Sequence, residues 1–435
     1  MRKVSKEKRR EQRAGFLLVA PSLALILVIA IWPVIQSFYF SLHDYQLSDP
    51  TKSTIHHSYT FDLERYLNNE PFILSAIDQQ QDVPNEALES LTGVKQQLVD
   101  LDQQLRDIPE IEANYETMNE MLMNFEVPSD EMKYITINRE FGRTYETTIE
   151  EINEEMDLLT EHYELQQEDK LTGLTDALTE SIIEPNFIGL SHYENQLTNI
   201  RMWQALWNTI VFTVISVGFE LVIGLAIALL INKAFFGRGI VRASILIPWA
   251  IPTAVSALMW KYLYDGQNGI VAKYFSDIGL IERMSTLLTT DTGAMFAVIF
   301  SDVWKTTPYM ALLLLAGLQT IPNGLYEAAS IDGANKWRQF WHITLPLLKS
   351  SLLVALLFRT LDAFRVFDLI FVLTGGGPAN STETISVMAY KFMFSQTNFG
   401  EGSALAVIVF ICVAIISAIY IKFLGSDLLT DDVKK

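Results

Sequence analysis

Six ionisable side chains sit inside stretches that are otherwise strongly apolar: Asp302 and Lys305 in one, and Arg359, Asp362, Arg365 and Asp368 in another. At bilayer depth each costs about 2.5–3.5 kcal/mol on insertion scales, so each requires a compensating role. Asp302 and Lys305 are three residues apart and can pair on one helix face, which Thr306 and Tyr309 extend. The second group recurs every three residues with alternating sign and drifts across one broad helix face. Counted from Lys349, Asp362 lies roughly 20 Å along its helix; counted from Ala294, Asp302 and Lys305 lie roughly 12–17 Å along theirs. The two groups therefore reach similar depth, beside Trp304, Phe364 and Phe367. Carboxylates and guanidinium groups bind hydroxyls in pairs, and ring faces cover apolar surface. Three roles fit: a ligand site, a buried ion-pair network locking two helices together, or contact with a partner subunit.

Nothing in the sequence adds covalent chemistry to these charges. There is no GxxxxGK[ST] stretch to cradle a phosphate, no HExxH, and no GxSxG elbow. Cys412 is the only cysteine, which excludes an internal disulfide, a CxxC redox pair and a cysteine-based metal site. Catalytic residues, a metal and a bound cofactor are not expected; His56-His57 is an isolated pair.

The elements that must position the charges are long apolar runs, each near the roughly 20 residues that cross a bilayer. They cover 14–42, 203–232 (with Glu220 as its one charge, read as a helix-packing or interfacial group), 243–260, 294–321, 345–373 and 403–421. The expectation is an all-α polytopic membrane protein with six transmembrane helices. The first run is too long for a signal h-region and reads as an anchor. Arg2, Lys3, Lys6, Lys8, Arg9, Arg10 and Arg13 place the 1–13 segment on the cytoplasmic side. Six crossings then gather Lys233, Arg238, Arg242, Lys336, Arg338, Lys349, Lys422, Lys434 and Lys435 on that same side, with the 425–435 tail. Both termini are expected in the cytoplasm of a multi-pass cell-membrane protein.

Net charge of the whole chain is −19, yet it is unevenly spread. Residues 44–200 hold 34 acidic and 8 basic residues, whereas the rest hold 17 and 24. A nucleic-acid partner is excluded, because it would need a clustered basic face. The acidic block falls outside the membrane, between the first and second spans. Leu88, Leu91, Val94, Leu98, Leu101, Leu105 and Ile108 step by three and four, as do Tyr145, Ile149, Ile152, Met156, Leu159 and Tyr163. Two such stripes, with Pro109, Pro128 and the Gly142 region between them, predict an antiparallel helical hairpin. It is either a solvated spacer or a docking element.

The segment 322–346 lies between the fourth and fifth spans, on the basic side. Asn323 follows Pro322 as a helix N-cap; Glu327 suits the first turn; Ala328, Ala329 and Ser330 make a smooth face; Asp332-Gly333 ends the helix. A second short helix around 336–342 leads to Pro346 in the first turn of the fifth span. Glu327, Ala328, Ala329, Asp332, Gly333 and Ala334, followed by Ile343, Leu345 and Pro346, resemble the EAA loop of binding-protein-dependent ABC importer permeases. More of the chain, 14–48 and 186–424, is similar to the carbohydrate group of that family, which includes the maltose/maltodextrin type. Phe187, Gly189, Leu190 and Tyr193, the Trp207-Asn208-Thr209 start of the core, and Leu373-Thr374-Gly375-Gly376-Gly377-Pro378 carry that similarity, with His192 where Asn is usual.

The resemblance implies a permease core over 201–424. It implies that Glu327, Ala328, Ala329, Ser330, Asp332, Gly333 and Ala334 dock onto an ATPase. ATP and Mg would be bound by two copies of that partner, alongside a second permease subunit and an extracytoplasmic sugar-binding protein. It also implies a site for a sugar or oligosaccharide, maltodextrin-like, at Asp302, Trp304, Lys305, Thr306, Tyr309, Phe364, Arg365 and Asp368. The maltose type favours Asn and small residues at several of these positions, so the charges leave the sugar open. A secondary transporter would instead show inverted repeats and ion-coordinating carboxylates. A receptor or scaffold would use the acidic block to sense and would tolerate loss of the loop.

Overall fold

The computed structural model describes residues 6–80 and 83–432, with side-chain surroundings for 15–80 and 83–423. Arg2, Lys3, Lys434 and Lys435 lie outside the described residues. The chain divides into two compact units, one formed by residues 1–42 with 190–435 and the other by 43–189.

The first unit opens with α1 (Gly15–Phe40), an apolar helix with no residue of its apolar window buried. A helix that is hydrophobic all round is stable only inside a protein or a bilayer. The unit resumes with the short helix Ser191–Thr198, and its helices used below are α7 (Ile200–Asn232), α8 (Arg238–Ile245), α9 (Thr253–Leu263), α10 (Asp291–Leu318), α11 (Asn323–Ile331), α12 (Lys336–Phe364), α13 (Asp368–Leu373) and α14 (Phe399–Phe423). Among the described residues α1, α7, α12 and α14 are long and apolar enough to cross a membrane. At 28 residues α10 spans about 42 Å, but Asp302 and Lys305 dilute its apolar run, and most of its length is buried among its neighbours. The protein is therefore an all-α polytopic membrane protein in this unit.

Two expected spans differ from the structure. Residues 243–260 are not one helix: α8, the turn Ile247–Ala250 and α9 are separate, and the chain is extended at Ile251 (ψ 132°). Pro252 forces that break, because its ring excludes the helical conformation from the residue before it. Residues 345–373 are not one helix either. It begins earlier, at Lys336, absorbing the expected short helix, and stops at Phe364. Phe367 (φ −134°, ψ −66°) breaks it, and Asp368 starts α13. The three-residue charge repeat thus does not lie on one helix face.

Close approach fixes the packing. Gly224 of α7 faces Met310 of α10, and a Cβ there would come within 2.9 Å of the Met310 Cγ. Gly317 of α10 meets the Ser351 side chain of α12, with no room for a Cβ. Small residues at such crossings let apolar helices pack without a hydrophobic driving force.

The second unit is not a bare hairpin. Residues 190–200 belong with the first unit, and 43–189 mix helices with a small sheet. Its main elements are β1 (Thr60–Asp62), α2 (Leu63–Asp78), α3 (Asn85–Arg106), α4 (Pro109–Met123), β2 (Tyr134–Thr136), α5 (Arg139–His162), α6 (Glu168–Thr179) and β3 (Ile182–Ile183), with a single helical turn at Asp130–Lys133 before β2. The strands form an antiparallel sheet in the order β2-β1-β3. Both expected stripes are present in their central parts: Leu91, Val94, Leu98, Leu101 and Leu105 on α3, and Tyr145, Ile149, Ile152, Met156 and Leu159 on α5, are all buried, whereas Leu88 is exposed and Ile108 and Tyr163, just past the helix ends, are only partly buried. They pack with Phe61, Tyr66 and Ile73 into one core rather than only on each other. Gly142 lies inside α5 and makes room for the Tyr59 ring. Asp62 caps α2 by accepting from the Arg65 N–H at 3.0 Å.

A polar cluster runs from the core of this unit, at Tyr66, Tyr115 and Glu70, to its surface at Arg106. Asp102 accepts from the Tyr115 hydroxyl at 2.7 Å, the Tyr66 hydroxyl at 3.3 Å and Arg106 Nε at 2.8 Å. Glu70 lies beside it, 6% exposed. Burial first, and then the Asp102 charge, push the Glu70 carboxyl up to about 7.

Candidate functional site

Three helices converge on one guanidinium. Arg359 of α12 is fully buried, and its Nε and Nη2 donate to the two Glu220 carboxylate oxygens of α7 at 2.5 and 2.9 Å. Nη2 also donates to Asp302 of α10, and Nη1 to Asp362 Oδ2 at 3.1 Å. Thr306 adds a bond from its hydroxyl to Glu220 Oε1 at 2.7 Å. A guanidinium supplies five N–H donors in a rigid fork, so one arginine serves three carboxylates on three helices. Asp302 pairs here and not with Lys305, contrary to the expectation from spacing. Lys305 is three residues further along α10 and faces the cavity instead. Glu220, read from sequence as a packing group, is the second anchor of the knot. Its signal was present: a lone carboxylate in an apolar helix demands a cationic partner.

Beside the knot lies a cavity of about 430 Å³. Asp302, Lys305 and Thr306 of α10 line it, with Arg359 and Asp362 of α12, Arg365 to Phe367 of the break, Asp368 and Leu369 of α13, and Trp249 and Thr253 beside Pro252. Arg365 uses Nε to donate to the Leu361 carbonyl at 3.0 Å. Among the described residues neither Lys305 nor Asp368 has an ion-pair or hydrogen-bond partner. Two helix breaks thus face the same space and present Trp249 and Phe367 beside opposite charges that are not in contact with each other.

Five of the expected ligand residues, Asp302, Lys305, Thr306, Arg365 and Asp368, line this cavity, and three do not. Tyr309 stacks on Trp249 (5.5 Å between centroids, 11°), one layer behind the wall. Trp304 packs edge-on against Trp260 at 5.3 Å. Phe364 is buried in the core. Trp249, Thr253 and Phe367 take their places; the bracketing Pro248 and Pro252 were the visible signal for the first two. A larger groove of about 800 Å³ lies along Trp207, Phe219, Phe296 and Phe300. Its wall is mostly apolar, with Asn208, Asp291, Thr292 and Ser381 as its polar members and no cationic side chain.

At the other site, α11 projects with no buried residue. Glu327, Ala328 and Ser330 are exposed and Ala329 half-buried. Its start differs from expectation: Pro322 occupies the cap position and Asn323 is the first helical residue, without a side-chain cap. Its end agrees. Gly333 adopts φ +79°, and the N–H groups of Gly333 and Ala334 return to the Ser330 and Ala329 carbonyls at 3.2 and 2.8 Å. That double return is a Schellman cap, which glycine permits at little cost. Asn335 then caps α12, accepting from the Arg338 N–H at 2.9 Å.

Residues 220–428 match the binding-protein-dependent transport system inner membrane component family. The trehalose/maltose transport system permease protein MalF of Thermococcus litoralis is 45% identical over 241 residues, which is 55% of this chain and 81% of that protein. The chain belongs to this family. The trehalose transport system permease SugA of Mycobacterium tuberculosis is 44% identical over 240 residues, covering 55% of this chain and 76% of that protein. The sulfoquinovosyl glycerol permease SmoG of Agrobacterium fabrum is 40% identical over 238 residues, 55% and 77% of the two chains. The fold agrees with a crystal structure of a bacterial ABC transporter involved in alginate import (TM-score 0.50, 23% identity, 55% of this chain and 84% of that one). The permease is therefore a translocation subunit of an ABC importer and not an enzyme, and the 43–189 unit lies outside the family's matched residues.

Proposed function

We propose that this permease moves a disaccharide or short oligosaccharide of the trehalose/maltose class through the membrane, with the 430 Å³ cavity as its transit site. The supporting observation is the placement of the charges. Lys305, Asp368 and Arg365 line a shared space beside Trp249 and Phe367; Lys305 and Asp368 are near enough to feel each other's charge, but among the described residues no contact ion pair forms between any of the three. A ring stacked on an aromatic face, with hydroxyls held by charged groups, matches that lining. The names of the relatives, which are trehalose, maltose and sulfoquinovosyl glycerol permeases, support the ligand class.

In this reading the chain works with a second permease, two copies of an ATPase and an extracytoplasmic sugar-binding protein. Both termini and the 322–346 segment face the cytoplasm, and the 43–189 unit stands outside. Six crossings result if α8 to α9 together count as the broken third and α10 as the fourth. The exposed α11 docks onto the ATPase, whose closure on ATP opens the cavity outward. Coupling of a remote site to the cavity requires a two-state arrangement of the helices between them.

The test is uptake by the assembled complex. Glu327→Lys reverses the charge of an exposed residue on α11, so it is expected to abolish ATP-driven uptake of labelled trehalose or maltose while the complex still forms. Full uptake by that variant refutes the docking role.

A further inference from the structure

α11 has no buried residue, and Gly333 at its end is a backbone position without a side chain to resist rotation. A helix held only by such a hinge would swivel when pushed and pass little displacement to α12. Side chains bridge that hinge, and Gln339 makes most of the contacts. Gln339, in the first turn of α12, is buried to 4% exposure where its neighbours Trp337 and Arg338 are open to solvent. Its Nε2 donates to Ser330 Oγ at 2.8 Å, to the Ala334 carbonyl at 3.2 Å and to the Tyr326 carbonyl at 3.4 Å. These acceptors lie before and after the hinge, so the amide ties both sides of it to α12. The Ser330 hydroxyl donates in turn to the Tyr326 carbonyl at 2.7 Å, which leaves its lone pairs for Gln339. Tyr326 adds a hydroxyl contact with Thr344 at 3.0 Å, one turn further along α12.

We infer that Gln339 is the positioning residue that makes α11 and α12 one rigid body, so that displacement at α11 reaches the cavity residues on α12 rather than being lost at Gly333. This rests on the reading of α11 as the ATPase contact; the staple itself rests on geometry alone. Donors are what the site requires, because its acceptors are the Ser330 hydroxyl oxygen and the Tyr326 and Ala334 carbonyls. A lysine ammonium still donates to these groups, whereas an apolar isostere takes the donor away from the Ala334 carbonyl and the Ser330 hydroxyl; the Tyr326 carbonyl keeps the Ser330 hydroxyl as its partner.

The experiment uses the complete complex in proteoliposomes and compares wild type with Gln339→Met, Gln339→Ala and Gln339→Lys. Two quantities are read: hydrogen exchange of the 323–335 amides, and sugar taken up per ATP hydrolysed. Methionine keeps the volume and removes the donors; lysine restores donors. The expected result is about tenfold faster exchange and an about tenfold lower uptake per ATP in both Met and Ala variants, the scale of a lost buried hydrogen-bond network, with Lys close to wild type. Wild-type exchange in Gln339→Met overturns the staple, because packing alone then suffices. Faster exchange with unchanged uptake per ATP overturns its role in coupling. A wild-type complex whose uptake does not depend on ATP refutes the docking role of α11 and with it the coupling role, while the exchange comparison still decides the staple.

Discussion

The Arg359 knot and the cavity rim beside it use the same residue types within a few residues of each other, yet their charges are in opposite states. In the knot, one guanidinium is surrounded by Glu220, Asp302 and Asp362, and its donors are used. On the rim, Lys305 and Asp368 line the cavity and, among the described residues, make no contact ion pair or hydrogen bond. The difference separates architecture from recognition. A buried charge that is fully paired holds helices in register, and removing one member leaves the others exposed to a medium that cannot solvate them. A charge held unpaired at a cavity costs stability, and is retained where something arrives to pair with it.

The largest effect expected from this contrast is at the knot. Arg359→Met leaves Glu220 and Asp302 buried without a cation, at a cost of about 3–5 kcal/mol. Loss of assembled complex from the membrane fraction, by quantitative blotting, is the expected outcome; normal assembly would show that the knot is not structural. The polar cluster of the 43–189 unit comes next. Glu70 has its carboxyl raised from about 4.5 to about 7 by burial and Asp102, so the folded unit favours the protonated form. Its stabilising contribution is present at acid pH and is lost as pH rises through 7, by about 2 kcal/mol after allowance for solvent screening. Hydrogen-exchange protection of α2, corrected for intrinsic rates, should fall between pH 5.5 and 8, and Glu70→Gln should flatten that dependence. An equal slope in the variant would assign the effect elsewhere.

A smaller effect is expected at the rim taken one residue at a time. Asp368→Ala removes a ligand-facing group without unpairing another, so the fold is retained and the apparent affinity of uptake falls about tenfold, the scale of about 1.4 kcal/mol. An unchanged half-saturation concentration would place Asp368 outside the transit site. The smallest is at the base of α12. Asn335→Ala deletes the side-chain cap on the Arg338 N–H, at about 1 kcal/mol, and should lower the thermal midpoint of the complex slightly while leaving sugar affinity unchanged.

Much of this contrast was legible in the sequence. Asp302, Lys305, Arg365 and Asp368 stand out because charge in an apolar run demands explanation, and the cavity gathers them. The α11 segment was legible because Glu327 to Gly333 combine small residues with a terminating glycine. What misled was the assumption of unbroken helices. Pro252 and Phe367 interrupt two of them, and those breaks, not helical periodicity, aim Trp249 and Asp368 into the cavity. Pairing was the second failure. Spacing within α10 favours Asp302 with Lys305, but Arg359 approaches from another helix, a tertiary fact that no local pattern carries. In the 43–189 unit the two leucine-rich and aromatic stripes were visible. The three strands were not, because elements of two or three residues leave no periodic trace.

The most direct test of the account is ATP-driven uptake by the complex carrying Lys305→Met together with Asp368→Ala. Trehalose and maltose are supplied separately by the cognate binding protein. The expected result is complex recovered at wild-type yield with ATP hydrolysis retained and uptake of the transported sugar reduced by more than the roughly tenfold of Asp368→Ala alone; the two losses need not multiply, because both groups line one cavity and feel each other's charge. Wild-type uptake from that double variant would contradict it, and the unpaired charges would then have no part in moving the sugar.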